Sequence, residues 1–118
     1  MALSHLPNYL RTNRKRLGLS QGEIAYLLGA GSGAKACRYE RFARDPGLRT
    51  ALAYEAIFQR PIRELFAGLY DEIEREVAER AKRLVLTTDR MKPGLRTARK
   101  RETFAQIAAT KPKKTQTP

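Results

Sequence analysis

Residues 19–40 read LSQGEIAYLLGAGSGAKACRYE, a stretch that admits few folds beyond two short helices joined by a glycine-rich turn. Ser20 supplies a hydroxyl that accepts from backbone N–H groups left unpartnered in a first helical turn. Glu23, three residues on, completes a capping box, and Leu19 with Ile24 has the spacing of a hydrophobic staple. Gly29 ends that helix because glycine reaches the left-handed conformation cheaply, and Ser32 is placed to cap the next. The first of the pair is expected over residues 21–28, burying Ile24, Leu27 and Leu28, with Ala25 small enough for close helix approach. The second is expected over residues 33–42, with Ala36, Tyr39 and Ala43 inward and Ala34, Lys35, Arg38 and Arg41 outward.

Elements on either side supply a supporting bundle. A helix is expected from Ser4 or His5, with Pro7 inside its first turn where a missing N–H is harmless. Leu6, Leu10 and Leu17 form its apolar stripe beside Tyr9, Asn13 lies near the surface, and Gly18 stops it. Arg14, Lys15 and Arg16 crowd the last turn, where they suit the negative end of the helix dipole. After the turn Asp45-Pro46-Gly47, a helix over residues 50–58 is expected to bury Leu52, Ala53, Ala56 and Ile57. Pro61 opens another, closed against the core by Ile62, Leu65 and Phe66. No segment alternates with the two-residue period of a half-buried strand, so the fold class is all-α.

Charge narrows the function. The 118 residues carry 24 Lys and Arg against 12 Asp and Glu, a net charge of +12 with pI about 10.5. A polyanionic partner is the physical implication. The excess is divided: residues 1–66 hold a net +6, residues 67–86 a net −1 and residues 87–118 a net +7. A single cysteine, Cys37, excludes an intrachain disulfide and suits a reducing cytoplasm. No apolar run reaches the length needed to span a bilayer, and the N-terminus MALSHLPNYLR lacks the pattern of a signal peptide. The expected location is cytoplasmic and nucleoid-associated, with no membrane contact.

A compact helix–turn–helix presenting cations suits the major groove of duplex DNA. Arg38 is the leading candidate for base readout, because a guanidinium pairs in a bidentate way with guanine O6 and N7. Gln21, at a helix N-terminus, offers side-chain amide and backbone N–H to a phosphate oxygen. Gly33 and Ala34 are small enough to allow close approach to the groove; Ser32, Lys35, Arg41, Arg44 and Arg16 complete the set of candidate DNA contacts.

Residues 6–66 resemble the xenobiotic-response-element family, the lambda-repressor-like or Cro-type helix–turn–helix domain. The matching marks are Arg14, Gly18-Leu19-Ser20-Gln21, Ile24-Ala25, Leu27-Leu28-Gly29, Ser32, Arg38-Tyr39-Glu40, Pro46, Leu48 and Ile62-Arg63-Glu64-Leu65-Phe66. The resemblance implies a five-helix bundle whose third helix enters the major groove, with Gln21 binding near the backbone and positioning that helix. It also implies that Glu40 forms a structural ion pair with Arg14 of the first helix. Three features depart from the family pattern: Ala30-Gly31 lengthens the turn by one residue, small residues occupy 33, 34 and 36, and Gln59 stands where glycine is common. The last is expected to be harmless.

A further helix is expected over residues 67–86, with Leu69, Ile73, Val77, Ala81 and Leu84 in a narrow apolar stripe. Acids precede bases along it, which suits the dipole and offers pairs such as Glu76–Arg80. The stripe serves either to pack back on the domain or to join a second copy. A homodimer through residues 67–86 is the expectation, since doubling a half-site lengthens the DNA site. Another helix is expected over residues 96–109, and KPKKTQTP reads as disordered. The expected function is a sequence-specific double-stranded DNA-binding regulator of transcription, a repressor. The alternative is an antitoxin-like or adaptor protein whose C-terminal extension binds another protein. His5 is the sole histidine, and neither a nucleophile motif nor a metal or cofactor motif is present, so no enzymatic activity, metal or cofactor is expected.

Overall fold

The computed structural model describes residues 5–109, and every regular element in it is helical. The elements are α1 (Leu10–Arg16), α2 (Gln21–Leu28), α3 (Ala34–Glu40), α4 (Leu48–Phe58), α5 (Ile62–Leu65), α6 (Ala67–Thr88) and α7 (Leu95–Ala109). They divide into two compact units between Tyr70 and Asp71, within α6 rather than at the expected boundary after residue 66. The expected helix start at Ser4 and the expected disorder of KPKKTQTP lie outside the described residues. No helix among the described residues is long and apolar enough to cross a membrane.

In the first unit, Leu10, Ile24, Ala36, Tyr39, Tyr54, Phe58, Leu65 and Phe66 form one buried core drawn from α1 to α5 and the residue after α5. Tyr54 is its hub: its ring stacks on Phe58 at 5.7 Å and meets Tyr39 and Phe66 edge-on at 6.4 and 6.5 Å. Such aromatic pairs add to the free energy of simple burial. The inward face of α4 is therefore Ala51, Tyr54 and Phe58, spaced i, i+3, i+7. Leu52 and Ala56, expected inside, are exposed, and Ala53 is half-buried. The helix begins at Leu48, two residues before the expected start, and the large rings set its rotation.

The start of the chain departs most from expectation. Residues 5–9 are not helical, and Pro7 precedes α1 instead of lying in its first turn. This segment is held by long-range backbone bonds: Tyr9 N–H donates to Leu65 O at 2.7 Å, and Gly68 N–H donates to Leu6 O at 2.9 Å. Asn8 is buried, accepting from Leu10 N–H at 3.1 Å and donating to Tyr39 O at 2.9 Å. One amide thus caps the start of α1 and holds the last turn of α3. Leu6 and Leu17 fall outside the shortened helix and are about half exposed. Asn13, expected near the surface, is buried and donates back to Tyr9 O at 2.9 Å.

The turns follow local chemistry. Ser20 and Glu23 form the full capping box, and Gly18 and Gly29 both have positive φ. On α2 the buried side is Ile24 and Ala25 with Leu28 beside them; Leu27, expected inside, is exposed along with Tyr26. Gln59 ends α4 at φ 56, a left-handed conformation that favours glycine, while its amide donates to Ala56 O at 2.7 Å. In the second unit, Lys82 pairs with Glu79 at 3.4 Å, in place of the expected Glu76–Arg80 pair. Arg101 of α7 bonds Asp89, just beyond α6, at 2.7 Å.

The packing can be tested at two positions. A Cβ at Gly68 would overlap the carbonyl oxygens of His5 and Leu6, backbone that cannot swing aside. Gly68→Ala should lower stability by about 1–3 kcal/mol in urea unfolding, whereas Gly22→Ala, which meets only Ser20 Oγ at 3.8 Å, should not. The Tyr54 hydroxyl is fully buried without a hydrogen-bond partner, and burial pushes its pKa up. The unfolded chain loses this proton near pH 10 while the folded chain keeps it, so its contribution is present below that pH and is lost above it. Tyr54→Phe should be neutral or stabilising at pH 7 and should flatten the loss of melting temperature above pH 10.

Candidate nucleic-acid interface

The site is organised by a charge that faces inward. Glu40, the last residue of α3, has a side chain only 3% exposed, beside Arg14 at 12%. Arg14 Nε donates to Glu40 Oε2 at 2.7 Å, and a terminal guanidinium nitrogen donates to Oε1 at 3.1 Å. Its other terminal nitrogen donates to Leu19 O at 2.9 Å, and Gln21 Nε2 donates to Glu40 Oε1 at 3.2 Å. A planar fork on a carboxylate fixes both distance and direction. Four bonds therefore tie α1, the α1–α2 turn, the first residue of α2 and the end of α3. The hydrogen bond to Glu40 holds the Arg14 pKa above its ordinary value against the opposing effect of desolvation. That contribution to stability persists through neutral pH and is lost only in strong alkali.

With Glu40 turned inward, the other side of α3 is left to cations. Ala34, Lys35 and Arg38 are exposed, as are Arg41 at the C-cap and Arg44 in the following turn. Lys35, Arg38, Arg41 and Arg44 make no ion pair and no side-chain hydrogen bond among the described residues. Ala36 and Tyr39 face the core, but Ala43 does not: the helix stops at Glu40, and Phe42 at φ 63 swings the chain away before a third inward position is reached.

The small residues of the turn have a packing role. A Cβ added at Gly33 would lie 3.5 Å from Gln21 Cβ, ordinary van der Waals contact, so the starts of α2 and α3 lie about one side-chain atom apart. Gly33 is the N-cap of α3, and the Ser32 hydroxyl, one residue earlier, accepts from Ala34 N–H at 3.4 Å. Gln21, Ser32, Gly33 and Ala34 thus gather at one end of the cationic face. Cys37, half-buried, is a free thiol.

Arg16 is not brought to this face. It lies two residues beyond Arg14, about 200° around the helix, in a cleft with Ile57, Phe58, Gln59, Arg60 and Glu64. Its guanidinium donates to Asn13 Oδ1 at 3.2 Å. Two residues outside the expected set matter. Asn8 holds α3 through Tyr39 O; its only sequence signal is an Asn two positions before Leu10. Arg49 adds another exposed cation in the first turn of α4. Among the described residues, no group of three or more His, Cys, Asp or Glu is placed to hold a metal ion.

Arg14→Met should cost about 3–5 kcal/mol in urea unfolding, because it strands a buried carboxylate. The double variant Arg14→Met/Glu40→Met should cost less than Arg14→Met alone; an additive loss would show that each side chain acts independently of the pair. Set against protein-family models, curated proteins and solved structures, the chain has no match, and the reading of this face rests on its own residues.

Proposed function

We propose that this chain is a sequence-specific double-stranded DNA-binding regulator of transcription, a repressor, whose first unit acts as a lambda-repressor-like five-helix bundle. The observation that carries the reading is the outward face of α3. There Lys35 and Arg38, unpaired among the described residues and continued by Arg41 and Arg44, stand on a helix whose one acid is buried. Duplex DNA is a dense line of negative charge, and cations free of internal partners release its counterions most effectively. A short helix fits the major groove; the deep, narrow groove of A-form RNA excludes it.

In this reading Arg38 addresses a base edge, Lys35, Arg41 and Arg44 meet phosphates, and Gln21 approaches the backbone at the start of α2. Ala34 and Gly33 bring the helix close to the base pairs. Readout is carried by few donors, so a second half-site is needed for useful specificity, and a homodimer through residues 67–86 supplies it.

Fluorescence anisotropy with duplex DNA over a salt series tests this. Affinity should fall steeply with salt, and Lys35→Gln/Arg41→Gln should reduce the magnitude of the log–log slope by roughly 2, since each neutralised phosphate accounts for about 0.9. Arg38→Ala should relax preference at one base position at a cost of about 1–3 kcal/mol. Equal weakening on all sequences would make Arg38 a phosphate-binding residue, and salt-independent binding would overturn the reading.

A further inference from the structure

The second unit carries a helix face whose chemistry is self-complementary. Along α6, the side that is buried or half-buried runs through Asp71, Glu74, Ala78, Ala81, Val85 and Thr88. Beside it, within about 60° of arc at 100° per residue, lie Ile73, Val77 and Leu84, which remain 48%, 43% and 43% exposed. Farther round, on the solvent side, come Glu72, Glu76, Arg80 and Arg83, all exposed and without an ion pair among the described residues.

The order of these residues selects both an occupant and a direction. Among the exposed charges, residues 71–79 hold Glu72, Glu76 and Glu79 with Arg75, whereas residues 80–88 hold Arg80, Lys82 and Arg83 and no acid. A parallel second copy would set acid beside acid and base beside base. An antiparallel copy sets Glu72 opposite Arg83 and Glu76 opposite Arg80. Those two charged pairs, and the apolar pair Ile73 with Leu84, are all centred within half a residue of position 78. The charged flank and the apolar stripe therefore demand one register. Arg80 borders the apolar stripe, about 40° round the helix from Leu84, where its aliphatic stem can cover Val77 of the second copy while its guanidinium reaches Glu76.

The geometry points to antiparallel pairing of α6 with α6 of a second copy, about a two-fold axis beside residue 78. This inference rests on the dimeric reading of residues 67–86 and adds the direction and register of the pair. An isologous interface of this kind closes at two chains.

The test uses the full chain in a Cys37→Ser background. Sedimentation equilibrium of that protein reports whether a dimer forms. Two single-cysteine variants, Ile73→Cys and Leu84→Cys, are then oxidised separately and as a mixture, with circular dichroism confirming their helical content. The antiparallel register brings 73 against 84 and separates 73 from its own copy by about 16 Å along the axis, beyond disulfide reach. The expected result is a dimer, a disulfide in the mixture joining 73 to 84, and little from either variant alone. A dimer that crosslinks 73 to 73 would overturn the antiparallel register while leaving the dimer standing. A monomer at concentrations well above those of DNA binding would overturn both. As a second readout, Glu72→Arg/Glu76→Arg and Arg80→Glu/Arg83→Glu should each weaken the dimer, and mixing the two should restore it as a heterodimer.

Discussion

The ion pair between Arg14 and Glu40 is the interaction on which the first unit's arrangement depends. A glutamate at the end of a cationic helix would repel a polyanion if exposed and would be costly if buried alone. Here it is buried and fully engaged, by the fork of Arg14 and the amide of Gln21. The same guanidinium holds Leu19 O, just before the capping box that starts α2. The orientation of α3 is therefore set by hydrogen bonds to α1 and α2, while its apolar side, Ala36 and Tyr39, locks into the aromatic core. Asn8 reinforces this from the opposite direction by holding Tyr39 O. Surface cations on a helix fixed this way need little reordering to meet a rigid partner.

What is legible in the sequence is what is decided locally. The Ser20–Glu23 capping box, the left-handed Gly18 and Gly29, and the bounds of α2 depend on residues within a turn of one another. So does the outward side of α3. What is not legible is set by distant contacts. Pro7 has the local character of a first-turn residue, yet residues 5–9 stay non-helical because Leu6 and Tyr9 pair with Gly68 and Leu65. The rotation of α4 is ambiguous in sequence because alanines and leucines repeat on more than one face, and only the packing of Tyr54 against Phe58 and Phe66 chooses between them. Arg14 and Arg16 look alike in sequence; the helix turns one toward Glu40 and the other toward the α4–α5 turn. The ion pair itself is visible in the sequence only through the family resemblance.

The two units differ in how they use charge. In the first, the acid of the cationic helix is consumed internally, so that the charge α3 exposes has one sign. In α6 both signs are exposed but are separated along the axis, Glu72 and Glu76 before Arg80 and Arg83, the distribution on which the proposed antiparallel pairing rests. A two-fold protein matches a two-fold DNA site. Under the proposed function, the small residues at 33, 34 and 36 leave the outward face of α3 few side chains that can address a base edge, which is why the proposal includes a second half-site.

The most direct measurement is selection of bound sequences from a random duplex pool by the full chain at a stated salt concentration. Enrichment of a short inverted repeat, with a guanine at a fixed position in each half, is the expected result. A pool that retains affinity through all rounds without converging on any shared motif would contradict sequence-specific readout by α3.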